Sequence, residues 1–116
     1  MKYEVKEQDD ITIFKLEDEK LDTNNSGLLK AEFNILIRGN DKKKLIVDIS
    51  DVKNCDSSGL SSLLVANRLL NANGGNLIVV TQNEKILQLL QITQLQRVIT
   101  ICDTVEEAIE QLQSIS

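Results

Sequence analysis

The pattern of apolar residues predicts an α/β fold: a single domain over residues 1–116, with a mostly parallel five-stranded sheet, an N-terminal hairpin and about four helices. Three observations lead there. Leu45–Ile49 and Leu77–Val80 are nearly continuous apolar runs, the pattern of strands covered on both faces. Between and after these runs, apolar residues recur at helical spacing. The chain has 116 residues, 41% of them apolar and none of them proline, and no linker, repeat or low-complexity tract divides it.

The elements follow in order. Tyr3 to Glu7 alternates weakly and suits an edge strand; Asp9-Asp10 marks a turn, and the β-branched run Ile11–Leu16 completes a hairpin. Asp22 to Ser26 is rich in helix-capping types. Leu29, Phe33, Leu36 and Ile37 then recur at helical spacing, with Gly39-Asn40 as the stop. After the strand Leu45–Ile49, a loop over Ser50–Cys55 leads to Asp56-Ser57-Ser58-Gly59. A helix from Leu60 carries Leu63, Leu64, Asn67 and Leu70 on one face and ends at Asn73-Gly74-Gly75-Asn76. Asn83 caps a short helix bearing Ile86, Leu87, Leu89 and Leu90, and Val98–Ile101 is the last strand. Asp103 to Glu107 fits a capping box, and Val105, Ala108, Ile109 and Leu112 line the final helix. Strands alternating with helices imply right-handed crossovers.

Composition narrows the function. The net charge is −5, whereas nucleic acid demands a basic face; Lys42-Lys43-Lys44 reads as a solvated loop before a strand. There is no histidine, which removes the commonest general base and metal ligand, and no nucleophile–base pair can be assembled, so an enzyme is not expected. Asp48, Asp51 and Asp56 read as a solvated acidic rim rather than a metal site, and no glycine-rich phosphate loop is present. Cys55 and Cys102 have neither zinc-ligand nor CxxC spacing, and the acid after Cys55 raises its pKa. No apolar h-region opens the sequence and no run approaches a membrane span, so the expected location is cytoplasmic, without membrane insertion.

One segment carries chemistry. Asp56-Ser57-Ser58-Gly59 opens a helix, where orphan N–H groups and the helix dipole favour an anion, including a phosphate on a side chain. A phosphoserine there adds about −1.5 to −2 charges beside Asp56, and a partner fitted to a neutral hydroxyl would meet charge and bulk. The plainer reading is an ordinary cap worth about 1 kcal/mol, with Gly59 permitting tight packing.

The apolar strand Leu45–Ile49, the short loop, and then Asp56-Ser57-Ser58-Gly59-Leu60 resemble the signature of the STAS domain family, of the anti-sigma-factor-antagonist type. Lys20-Leu21-Asp22 before the first helix and Gly74-Gly75 before an apolar strand add to the resemblance, which covers essentially the whole chain. It implies that Ser57 is phosphorylated by an anti-sigma factor that is itself a serine kinase, and that a phosphatase resets it. The unphosphorylated form would bind that kinase, and phosphorylation would release it. Asp22 and Asp56 fall at family positions associated with the phosphorylation and partner surface. Ser58 would support the loop, and Asn24, Ser58, Gly59, Leu60 and Ser61 surround the docking face. This chain would need no cofactor, because the kinase brings ATP and magnesium. The family also includes constitutive binding subunits that dock on the ATPase of ABC-type lipid transporters or sit in signalling assemblies, an alternative that the sequence does not separate from the first.

Overall fold

Parallel strands with apolar residues on both sides need a layer on each face, and the chain supplies both. The computed structural model describes residues 1–115. Strands β1 (Tyr3–Gln8) and β2 (Ile11–Leu16) form an antiparallel hairpin closed by Asp9-Asp10, with Asp9 at φ 56°. Two two-residue strands follow further along, β3 (Lys20–Leu21) and β5 (Asn54–Cys55), with β4 (Lys44–Asp48) between them in sequence. With β6 (Asn76–Val80) and β7 (Thr100–Cys102), the main sheet has the order β1-β2-β4-β6-β7, parallel from β2 onward. The expected five-stranded sheet with its antiparallel N-terminal hairpin is therefore observed, and the β3–β5 pair is an addition to it.

Alternation along each strand sorts the side chains between two cores. Phe14, Leu16, Leu45, Val47, Leu77 and Val79 face α1 (Ser26–Asn34), α2 (Ser57–Ala72) and α3 (Glu84–Ile92). Ile11, Ile46, Ile78, Val80 and Cys102 face α4 (Val105–Gln113), which contributes Ala108 and Leu112. With few aromatics, the larger core is aliphatic around one edge-on ring pair, Phe14 and Phe33, with centroids 5.5 Å apart. Helix α1 continues as a π turn over Ile35–Gly39. This wider turn rotates less per residue than an α turn and keeps Ile37 aligned with Leu29 and Phe33.

Several boundaries move. Helix α2 begins at Ser57, three residues before the expected Leu60, because Asp56 caps it. The last strand is Thr100–Cys102 rather than Val98–Ile101: a 3₁₀ turn at Leu95–Arg97 leaves Val98 55% exposed. Lys42 and Lys44 are not simply solvated, since they pair with Glu7 at 3.2 Å and Asp10 at 3.0 Å, and Lys44 opens β4. The helix caps at Asn83 and Thr104 accept from Ile86 N–H at 3.1 Å and Glu107 N–H at 3.2 Å. Buried Asn67 donates to the Val98 carbonyl at 3.1 Å.

Truncating the fully buried Leu63 to alanine is expected to lower stability by about 2–5 kcal/mol in urea denaturation. Ile35→Ala, at a side chain 55% exposed, should change it by less than about 0.5 kcal/mol.

Candidate functional site

The site forms where three separate segments meet. Leu21 in β3 lies beside Cys55 in β5, and the Asp56 N–H donates to the Leu21 carbonyl at 3.2 Å. Asp56 is extended, with φ −106° and ψ −174°, and its Oδ1 accepts from Gly59 N–H at 3.0 Å. Its carbonyl accepts from Leu60 N–H at 3.1 Å. The cap consumes the Asp56 side chain and leaves Ser57, the first helical residue, exposed. Ser58 and Ser61 are half-buried.

Gly59 is confined. A Cβ there would strike the Leu21 carbonyl oxygen and stand 2.7 Å from Cys55 Sγ and 2.8 Å from Leu21 Cγ. Leu60 is only 3% exposed and belongs to the larger core. Both residues shape the loop and present almost no surface of their own.

The approach to α1 is tied by one amide. Asn25, 8% exposed, accepts from Asp22 N–H at 2.9 Å and donates to Asp18 Oδ2 at 2.9 Å and the Lys20 carbonyl at 2.7 Å. Asp22 Oδ1 accepts from Asn24 N–H at 2.9 Å, while the Asp22 carbonyl accepts from Ser26 N–H at 2.8 Å. The polar run from Asp22 to Ser26 thus builds a closed turn, and Asn25 gives α1 no side-chain cap. Asn24 is exposed and Asp22 half-buried.

Asp22 and Asp56 line one open groove of about 480 Å³ together with Cys55, Asn54, Ile86 and three lysines, Lys20, Lys53 and Lys85. The two acids and Lys20 belong to segments the sequence singles out, whereas Lys53 and Lys85 come from two further segments and nothing local marks them as neighbours of that site. The Cys55 thiol is pushed up to about 11, first by burial and then by the Asp56 and Asp22 carboxylates. It is a packing residue, neutral at physiological pH. Asp48, Asp51 and Asp56 are not used together. Asp48 is buried and accepts from Ser50 N–H at 3.0 Å, Asp51 lies 3.7 Å from Lys15, and Asp56 caps α2. No helix among the described residues is long and apolar enough to cross a membrane.

A sheet led by an antiparallel hairpin, with a buried glycine seating an Asp-Ser-Ser helix start beside the strand before α1, defines a recognisable class. The sequence pattern of the STAS domain matches residues 2–108, and the chain belongs to that family. It is 29% identical over 104 residues to a Thermotoga maritima protein described as a candidate anti-sigma factor antagonist, covering 90% of this chain and 91% of that one. A Thermotoga neapolitana homologue of similar description is 34% identical over 70 residues, 60% of this chain and 62% of that one. The crystal structure of a Thermotoga maritima candidate antagonist superposes with a TM-score of 0.87 at 29% identity, covering 96% of this chain and 94% of that one. The phosphorylated form of Bacillus SpoIIAA, at 21% identity, shares the fold with a TM-score of 0.73, over 95% of this chain and 98% of that one.

Gly59→Ala is expected to lower stability by about 1–3 kcal/mol and to shift the amide resonances of Leu21 and Asp56, whereas Ser58→Ala should leave both nearly unchanged. Alkylation of Cys55 in the folded protein at about pH 8 should run on the order of 100-fold slower than that of a free thiol, because its thiolate is scarce there. Rates near the free-thiol value would contradict the packing described.

Proposed function

We propose that this chain is an anti-sigma-factor antagonist whose partner binding is switched by phosphorylation of Ser57. The observation that carries this reading is the division of labour at the start of α2. Asp56 spends its carboxylate on the cap, so the adjacent Ser57 hydroxyl stands exposed on a turn held from beneath by buried Gly59 and Leu60. The description of the Thermotoga maritima relative supports the same class.

In this reading Ser57 is an acceptor and the chain is not an enzyme. The partner kinase supplies ATP, magnesium and the base. The Ser57 Oγ–phosphorus bond forms as the bond from the γ-phosphorus to the β–γ bridging oxygen breaks, the hydroxyl proton passes to the base, and ADP leaves. The product carries about −1.5 to −2 charges next to Asp56 and near Asp22. A kinase surface that accepted the neutral hydroxyl then faces repulsion and lost contact, and is released. A phosphatase restores the binding form. Asn24, Ser58 and Ser61, exposed or half-buried around the turn, border the docking face. The partners are proteins, the compartment is the cytoplasm, and neither nucleic acid nor membrane insertion takes part.

The test is a pull-down from the native host with wild type, Ser57→Ala and Ser57→Asp, with captured proteins identified by mass spectrometry. Wild type and Ser57→Ala should recover an ATP-binding kinase. Ser57→Asp should lose at least about tenfold of it, a difference of about 1.4 kcal/mol. With that kinase and ATP, only the proteins retaining Ser57 should gain phosphate. Equal recovery of a transporter ATPase by all three would overturn the switch and favour a constitutive binding subunit.

A further inference from the structure

Strand β1 is the outer edge of the main sheet, and no described strand pairs with its far side. The hairpin register decides which of its backbone groups point outward. Gln8 and Ile11 flank the two-residue turn, and the Glu17 N–H donates to the Lys2 carbonyl at 2.8 Å at the other end. In an antiparallel ladder the hydrogen-bonded positions alternate, so Lys2, Glu4, Lys6 and Gln8 face β2. Tyr3, Val5 and Glu7 therefore hold their N–H and C=O groups toward solvent.

We infer that β1 pairs antiparallel with β1 of a second copy of this chain, about a two-fold axis through Val5. Only even-sum registers bring outward groups face to face, and charge selects among them. With Val5 opposite Val5, Tyr3 lies opposite Glu7 and the outward groups of all three residues are paired. Glu4 then stands opposite Lys6 on both sides of the axis, at the closer, non-hydrogen-bonded positions about 4.5 Å apart at Cα. Sliding two residues one way sets Glu4 against Glu4; sliding the other way sets Lys6 against Lys6. Like charges directly opposite destabilise a pair of strands, and opposite charges stabilise it.

The side chains suit this partner. Glu4 and Lys6 share the sheet face that lines a groove beside Val105, Glu106 and Ile109 of α4. Within one chain they already lie 3.5 Å apart, both largely exposed. On the other face Tyr3 and Val5 are each 39% exposed, and Tyr3 stacks on Phe14 at 4.9 Å. Pairing covers this apolar margin and joins two sheets into one. A lone lysine on an edge strand deters such pairing; here Glu4, two residues away, turns that lysine into half of a self-complementary code. A two-strand contact is small, so the dimer belongs to the weak, transient class. No residue of β1 lines the groove beside Ser57, so the inference stands apart from the proposed switch.

Sedimentation equilibrium over concentrations up to about 1 mM tests it. Wild type should self-associate, and Glu4→Lys and Lys6→Glu should each weaken association at least about tenfold, because each sets like charges opposite one another twice. An equimolar mixture of the two variants should recover wild-type association as a heterodimer. The two substituted positions then face each other with opposite charges, while the native Lys6 of one chain meets the native Glu4 of the other. Circular dichroism of each variant verifies the fold. A wild type that stays monomeric throughout, single variants that associate as tightly as wild type, or a mixture that does not recover would each overturn the inference.

Discussion

The contact between the first turn of α2 and the Leu21 carbonyl is the constraint on which the site depends. That oxygen accepts the Asp56 N–H and also occupies the space a side chain at position 59 would need. Both facts bring α2 against β3, a strand of only two residues whose partner β5 comes from the segment just before the helix. Without a Cβ at Gly59 the helix seats fully, and Asp56 arrives where its carboxylate reaches the Gly59 N–H. Ser57 then has one direction left, outward. The exposure of the serine is a packing result, set by a glycine two residues away.

The groove beside this turn balances opposite charges. Asp22 and Asp56 would by themselves repel a phosphorylated neighbour, whereas Lys20, Lys53 and Lys85 line the same concavity. Lys53 already approaches Glu19 at 3.5 Å, both exposed, a pairing worth little in water. These cations thus keep much of their freedom to meet an anionic surface. The overall charge of −5 does not describe this local mixture.

Local signals were legible in the sequence and long-range ones were not. The apolar runs of β4 and β6 and the helical spacings around them record burial directly, which is why the fold class followed from the pattern. The cap at Asn83 is an interaction three residues long and reads equally well, while the expected box over Asp103–Glu107 is met by its first half, Thr104 accepting from the Glu107 N–H. The β3–β5 pair escaped because each strand is too short for periodicity and its partner lies more than thirty residues away. Helix α2 starts three residues ahead of its first periodic apolar residue, Leu60, because Ser57, Ser58 and Gly59 carry no apolar spacing. Val98 looked like strand because it is β-branched, but its neighbours close a 3₁₀ turn first. Asn25 was one capping type among several, and nothing local marks it as the hub joining Asp18, Lys20 and Asp22.

The aromatic inventory has an experimental consequence. The chain has no tryptophan and a single tyrosine, and that tyrosine sits on the outermost strand, its ring nearly parallel to Phe14 at 11°. The intrinsic near-ultraviolet emission of the protein therefore originates almost wholly from one corner of the sheet. It senses the hairpin together with α1, whose Glu32 stands close enough to the Tyr3 phenol to raise its pKa, and so serves as a native optical label for that margin of the molecule.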